Sequence, residues 1–118
     1  MRATSPRRRS PGLVRGSAQA PVFAALGDET RLALVGRLAG GETYSISQLR
    51  SGSRLTRQAI TKHLRVLEKV GLVRSVHRGR ESLFQLDPEP IVEMREYLDL
   101  VSEQWDEALN RLKAFVEK

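Results

Sequence analysis

The spacing of apolar positions changes character twice along the chain, and each change marks an element boundary. Residues 21–26 (PVFAAL) predict a short apolar helix opened by Pro21. Asp28 caps a second helix over residues 29–39, with Leu32, Val35, Leu38 and Ala39 inward, and Gly40-Gly41 ends it. Ser45-Ile46-Ser47-Gln48 has the S-x-x-Q form of a capping box and starts a brief third helix through Ser51, with Ile46 and Leu49 buried. Residues 52–55 make a turn. Thr56 caps a fourth helix that stops at Gly71, which is free to take a left-handed conformation. The period then shortens: residues 72–76 and 82–86 predict two strands joined at His77-Arg78-Gly79-Arg80. Asp87-Pro88 opens a last helix, from about residue 88 to 117, in which Ile91, Met94, Leu98, Val101, Trp105, Ala108, Leu112 and Phe115 recur at alternating spacings of three and four.

The fourth helix has two unlike faces. Ile60, Leu64 and Leu67, widened by Ala59, Val66 and Val70, form an apolar back. Arg57, Gln58, Thr61, Lys62, Arg65 and Lys69 form the front, with no acid between Thr56 and Leu67. Lys and Arg neutralise phosphates, and Arg and Gln pair with base edges, so this front suits a DNA groove. A basic face is also common as plain solvated surface; its setting in the chain favours the groove. Two short helices joined by about four turn residues, the second cationic, make a helix-turn-helix, and a basic-tipped hairpin after it reads as a wing rather than an ordinary polar loop. The DNA-contacting set is therefore Ser47, Thr56, Arg57, Gln58, Thr61, Lys62 and Arg65, with Arg78 and Arg80 at the wing tip.

Charge sharpens this division. The net charge is +6, but residues 1–20 carry +5, residues 50–80 carry +8 and residues 81–118 carry −6. One surface thus meets a polyanion while the acidic end is kept away from it. Residues 1–20, rich in Arg, Pro, Gly and Ser without periodicity, read as a disordered basic arm: either a solvated tail, or a source of phosphate or minor-groove contacts through Arg7, Arg8 and Arg9. Residues 21–118 read as one domain. No apolar run approaches 18 residues, and the first twenty lack the apolar core of a secretory signal, so no membrane association is expected and the location is cytoplasmic. With no cysteine there is neither disulfide nor thiolate metal site. His63 and His77 lack a second ligand at useful spacing, and no metal or other cofactor is expected.

The last helix carries more apolar surface than a small domain can cover. Leu32, Val35, Leu38, Ile46, Leu49, Ile60, Leu64, Leu67, Leu72 and Phe84 already supply a core. A two-fold axis hides the surplus and uses it twice. The expected dimer surface is Leu98, Val101, Trp105, Ala108, Leu112 and Phe115, met by Val22 and Phe23 of the first helix, with Trp105 as anchor unless it packs within its own protomer. The fold class is then mainly α with a small β-hairpin: a winged helix-turn-helix with a long C-terminal dimerisation helix.

With FAALGDETRLALVGRL, LTRQAITKHLRVLEKVGLV and the wing read together, residues 22–115 resemble the ArsR/SmtB family of bacterial winged-helix transcriptional repressors. The resemblance implies a homodimer in which the first and last helices pair and each recognition helix enters a major groove. It implies repression, and a location at the nucleoid through DNA. His63 matches a family histidine, implying a hydrogen bond to backbone or phosphate. Two departures stand out. Ser45-Ile46-Ser47 replaces the Cys-Val-Cys of the family's metal sensors, and the last helix has no histidine, as in a subgroup lacking the usual metal sites. Arg54 stands where the family often has a turn glycine.

The expected function is a sequence-specific regulator of transcription, a homodimeric repressor binding an inverted-repeat operator in double-stranded DNA. The alternative is a winged-helix module that binds an acidic protein partner. No nucleophile-base pairing, phosphate loop or carboxylate pair supports an enzyme. The effector is not legible.

Overall fold

A computed structural model describes residues 11–117. The elements are α1 (Pro11–Leu26), α2 (Glu29–Leu38), β1 (Tyr44–Ser45), α3 (Ile46–Arg50), α4 (Arg57–Lys69), β2 (Val73–Arg78), β3 (Glu81–Leu86) and α5 (Glu89–Val116). The fold is mainly helical with a small antiparallel sheet, a winged helix-turn-helix. The described residues divide into two compact units, 20–91 and 11–19 with 92–117.

In the unit Ala20–Ile91, caps set the helix starts. The Asp28 carboxylate accepts from Arg31 N at 3.0 Å, and Thr56 Oγ1 accepts from Ala59 N at 3.1 Å. Both arms of the expected capping box form: Gln48 N donates to Ser45 Oγ at 3.1 Å and Ser45 N to Gln48 Oε1 at 2.8 Å. Gly41 and Gly71 take φ of 88° and 83° where α2 and α4 end, and there a side chain would be strained.

Leu38, Ile60, Leu64, Leu67 and Leu72 are the fully buried centre of this unit. The phase of α2 differs from expectation. Leu34, Val35 and Leu38 face inward, while Leu32 is 55% exposed and Ala39 is an exposed cap residue. Leu32-Ala33-Leu34-Val35 is a continuous apolar run, so the sequence leaves two possible stripes, and packing selects the one containing Leu34. Ile46 is half-buried rather than buried.

The hairpin gains a third strand that no alternation announced. β1 pairs with β3 through Tyr44↔Phe84 and Ser45↔Leu83, so the order is β1-β3-β2. A two-residue strand is too short to show a period of two. The hairpin turn is also tighter than the expected four residues. Arg78 pairs with Glu81, leaving Gly79-Arg80 as the loop, with Gly79 at φ 62° as a II′ turn requires.

Two expectations about the chain's first segment need correction. The arm expected through residue 20 is helical from Pro11 onward; residues 1–10, with Arg7, Arg8 and Arg9, lie outside the described residues. Pro21 is therefore inside α1 rather than opening it, and Pro11 occupies the first helical position instead. In the second unit, Gln19 is buried and its Nε2 donates to Glu93 Oε1 at 3.5 Å. A glutamine in a Gly- and Ser-bearing stretch gives no periodic signal of such a contact. The last helix starts one residue later than expected, with Glu89 N donating to Asp87 Oδ1 at 3.1 Å. No helix among the described residues is long and apolar enough to cross a membrane.

Candidate nucleic-acid interface

α4 sets its apolar back, Ile60, Leu64 and Leu67, against the core, so its opposite face must stand outward. Arg57, Gln58, Lys62 and Arg65 are all exposed there, Thr61 is half-exposed, and Arg57, Gln58, Thr61 and Lys62 line one shallow hollow. Thr61 Oγ1 donates to Arg57 O at 2.8 Å, which spends its proton on the helix and leaves its methyl and a lone pair outward. Thr56 uses its oxygen as the cap acceptor, so its hydroxyl proton stays available to a phosphate.

The preceding helix joins this face. Arg57 Nη1 donates to Ser47 Oγ at 3.2 Å, bringing the expected contact residue on α3 beside the first turn of α4. The turn between them closes on itself: Ser53 N donates to Arg50 O at 2.9 Å, Leu55 N to Ser53 Oγ at 3.0 Å, and Arg50 Nε to Leu55 O at 2.9 Å. Its left-handed residue is Gly52, at φ 79°. Among the described residues no non-glycine has positive φ, so Arg54 fits the turn without needing to be glycine. Arg50, Ser51 and Ser53 also present polar side chains beside Ser47; their charge and hydroxyls were visible in the sequence, but their convergence depends on the turn.

His63 stands apart from this front. Its ring is half-buried, with Nδ1 3.3 Å from Arg31 Nη1 and 3.8 Å from Asp28 Oδ2. It thus meets the start of α2 rather than joining the hollow lined by Arg57, Gln58, Thr61 and Lys62. The Arg31 backbone N–H bound to Asp28 holds that carboxyl below its ordinary 3.8, against some desolvation and helped by the Arg31 charge. Arg31 was absent from the sequence-based set. The only signal was its place three residues after a capping aspartate.

On the wing, Arg78 ends β2 and Arg80 sits in the turn, both exposed, and His77 is exposed as expected. The wing's base is tied down. Arg74 donates through Nε and Nη2 to Gln85 Oε1 at 3.3 and 3.2 Å, and Gln85 Nε2 donates to Gly41 O at 2.9 Å. Ser75 Oγ donates to Glu68 Oε2 at 2.8 Å, joining β2 to the last turn of α4. That bond absorbs the single acid in the basic middle of the chain.

The residues expected at a dimer surface divide by exposure. Leu98, Trp105, Leu112 and Phe115 are exposed at 52, 63, 58 and 74%, with Val101 and Ala108 half-buried. Phe23 is half-buried, and Val22, at 6% exposure, has almost no surface to offer a partner. Among the described residues no group of three or more His, Cys, Asp or Glu is placed to hold a metal ion.

A winged helix-turn-helix whose recognition helix presents an exposed cationic front without acids defines a class of DNA-binding regulators. A sequence profile described as a helix-turn-helix domain matches residues 26–76. The chain is 36% identical over 76 residues to the uncharacterized HTH-type transcriptional regulator YuzN of Bacillus subtilis (strain 168), covering 59% of this chain and 83% of that protein. It is 37% identical over 75 residues to the HTH-type transcriptional regulator Rv2034 of Mycobacterium tuberculosis, covering 64% of this chain and 69% of that protein. The solved structure of an ArsR-like transcriptional regulator from Rhodococcus sp. RHA1 superposes with a TM-score of 0.73 at 36% identity, over 84% of this chain and 92% of that one. The chain belongs to the ArsR family of helix-turn-helix transcriptional regulators.

Proposed function

We propose that this regulator is a homodimeric repressor that binds an inverted-repeat operator, with α4 of each protomer in a major groove and the wing tip on the flanking backbone. The carrying observation is the front of α4. Arg57, Gln58, Lys62 and Arg65 are exposed together without an acid among them, and Arg57 is bonded to Ser47 of the preceding helix. In this reading Arg57, Gln58, Thr61 and Lys62 address base edges from the first turns of the helix. Thr56, Ser47, Arg65, Arg78 and Arg80 address phosphates. The exposed apolar residues Leu98, Trp105, Leu112 and Phe115 support a two-fold pairing through the last helix. Two recognition helices reading the halves of an inverted repeat lie about one DNA turn apart, ~34–36 Å. Repression follows from occupancy of promoter DNA, and the protein then resides at the nucleoid.

The test is selection of duplexes from a randomised pool, followed by binding at ~0.15 M salt, where non-specific association is weak. An enriched inverted repeat, bound by wild type and lost by the double variant Arg57→Ala/Lys62→Ala, is the expected result. Equal binding by that variant overturns the assignment of the front. Absence of any enriched sequence, with capture of an acidic protein instead, transfers the basic face to a protein partner.

A further inference from the structure

We propose that Arg31 and His63 form a positioning clasp that fixes the roll of α4, and so the register of its side chains on the bases, only while the His63 ring is neutral. This rests on the DNA-binding reading above. Arg31 bridges three elements. Its Nε is bonded to Ala25 O of α1, at 2.6 Å, its backbone N is bonded to Asp28 at the start of α2, and its Nη1 lies 3.3 Å from His63 Nδ1 on α4. A guanidinium has donors and no acceptor. The Nη1 contact therefore needs a lone pair on Nδ1, and the ring proton belongs on Nε2.

The location of the ring makes this contact consequential. His63 follows Ile60 by three and precedes Leu67 by four, so it stands at one margin of the buried stripe. Lys62, next to it, is on the exposed front. The apolar stripe resists translation of the helix more than a small roll, because Leu and Ile contacts are not directional. A roll of ~20° about a helix of ~5–6 Å radius sweeps side-chain tips by ~2 Å. That exceeds the tolerance of a base-edge hydrogen bond. A directional contact at the stripe margin, anchored on two other helices, is what constrains the roll.

Protonation reverses the contact. With a proton on Nδ1 the ring no longer accepts from Arg31 and faces it as a like charge. The Asp28 carboxylate, 3.8 Å away, becomes its attractive partner. Asp28 is already holding the Arg31 backbone N–H, so the exchange also disturbs the α2 cap. The other charged groups nearby in sequence, Glu29 on α2 and Lys62 and Arg65 on α4, are exposed to solvent, and α1 contributes the uncharged Ala25 carbonyl. A protonated ring adds positive charge, which favours any DNA, while a rolled helix loses base contacts. The diagnostic quantity is thus the ratio of specific to non-specific affinity, rather than affinity alone.

The experiment measures binding of the full chain to its selected duplex and to a scrambled duplex, from about pH 8 to about pH 5.5. For wild type the ratio is expected to fall at least ~10-fold as pH drops, with binding to the scrambled duplex retained. His63→Ala and Arg31→Met should each show the lowered ratio already at about pH 8, and the double variant should lose little more than either alone. His63→Gln supplies an acceptor for Arg31 without a titratable proton; it should recover most of the ratio lost in His63→Ala and hold it flat with pH. Circular dichroism shows that each variant is folded. A His63→Gln profile that follows wild type, or a His63→Ala ratio equal to wild type, overturns the clasp. If no duplex is enriched at any pH, the DNA-binding reading itself fails, and the clasp with it.

Discussion

At the scale of single residues, similar charges on α4 and the wing should behave differently under mutation. Gln58 is exposed at the second position of α4, where an amide can make a paired contact with adenine. Gln58→Ala should therefore change preference among bases at one position by ~1–3 kcal/mol, measured by competition between duplexes that differ there. Arg80 sits in a two-residue turn and reaches only backbone in the proposed complex. Arg80→Ala should weaken all sequences alike and lower the salt slope by ~1. A base-specific effect at Arg80 would show that the wing reads sequence. Asp28 carries a pH signature in stability. Its carboxyl is held below 3.8 in the folded chain, so its ionised form stabilises the fold above that value, and this contribution is lost as pH falls through the lowered folded value. Asn caps as well as Asp but does not titrate. The melting temperature of Asp28→Asn should therefore lie below wild type near neutrality, and the gap should close in acid. Residues also mark the limit of sequence reading. The exposed front of α4 was legible because acids are absent from it, whereas the inward turn of His63 toward Arg31 was not, since 32 positions separate them.

At the scale of elements, legibility follows from how strongly periodicity and caps agree. In α4 the cap, the apolar back and the terminal glycine all point to one helix, and its start and phase are as expected. Thr56→Ala should destabilise the chain by ~1 kcal/mol through loss of the bond to Ala59 N, and should also weaken DNA binding; chemical denaturation and a binding titration separate the two. Wild-type stability in that variant would show that the cap is dispensable. α2 had its cap but a continuous apolar run: Val35 and Leu38 are inward as expected, while Leu34 takes the place given to Leu32. The helical turns over residues 11–20 had neither, and β1 was too short for a pattern to exist.

At the scale of the whole molecule, the proposal of a two-fold dimer rests on Leu98, Trp105, Leu112 and Phe115 being exposed in a single chain. Burying such side chains is worth ~1.5–3 kcal/mol each. Wild type should scatter light as a dimer at micromolar concentration, and Trp105→Ala should raise the dimer dissociation constant at least ~10-fold, a loss within the range of aromatic interface anchors. A monomeric wild type ends the proposal, and an unchanged Trp105→Ala dimer moves the anchor elsewhere. Val22 was expected at this surface, but it is already buried, which leaves half-buried Phe23 as the remaining candidate on α1. Release of DNA by Zn²⁺ or As(III) is not expected, because Ser45 and Ser47 stand where thiolates would be needed. Metal titration of the operator complex checks this, and chelator-reversible release would reveal a site.

Local chemistry was enough to place the recognition helix, the capping box, the glycine stops and the wing, and the resemblance they carried led to the family. Each depends on interactions within a few residues, where spacing along the chain maps directly onto geometry. Four features required the folded chain: which stripe of α2 is buried, the pairing of Tyr44–Ser45 with β3, the withdrawal of Val22, and the meeting of Arg31 with His63. Each joins groups distant in sequence or chooses between locally equivalent faces. Periodicity contains no information about such choices, and only packing against the other elements supplies it.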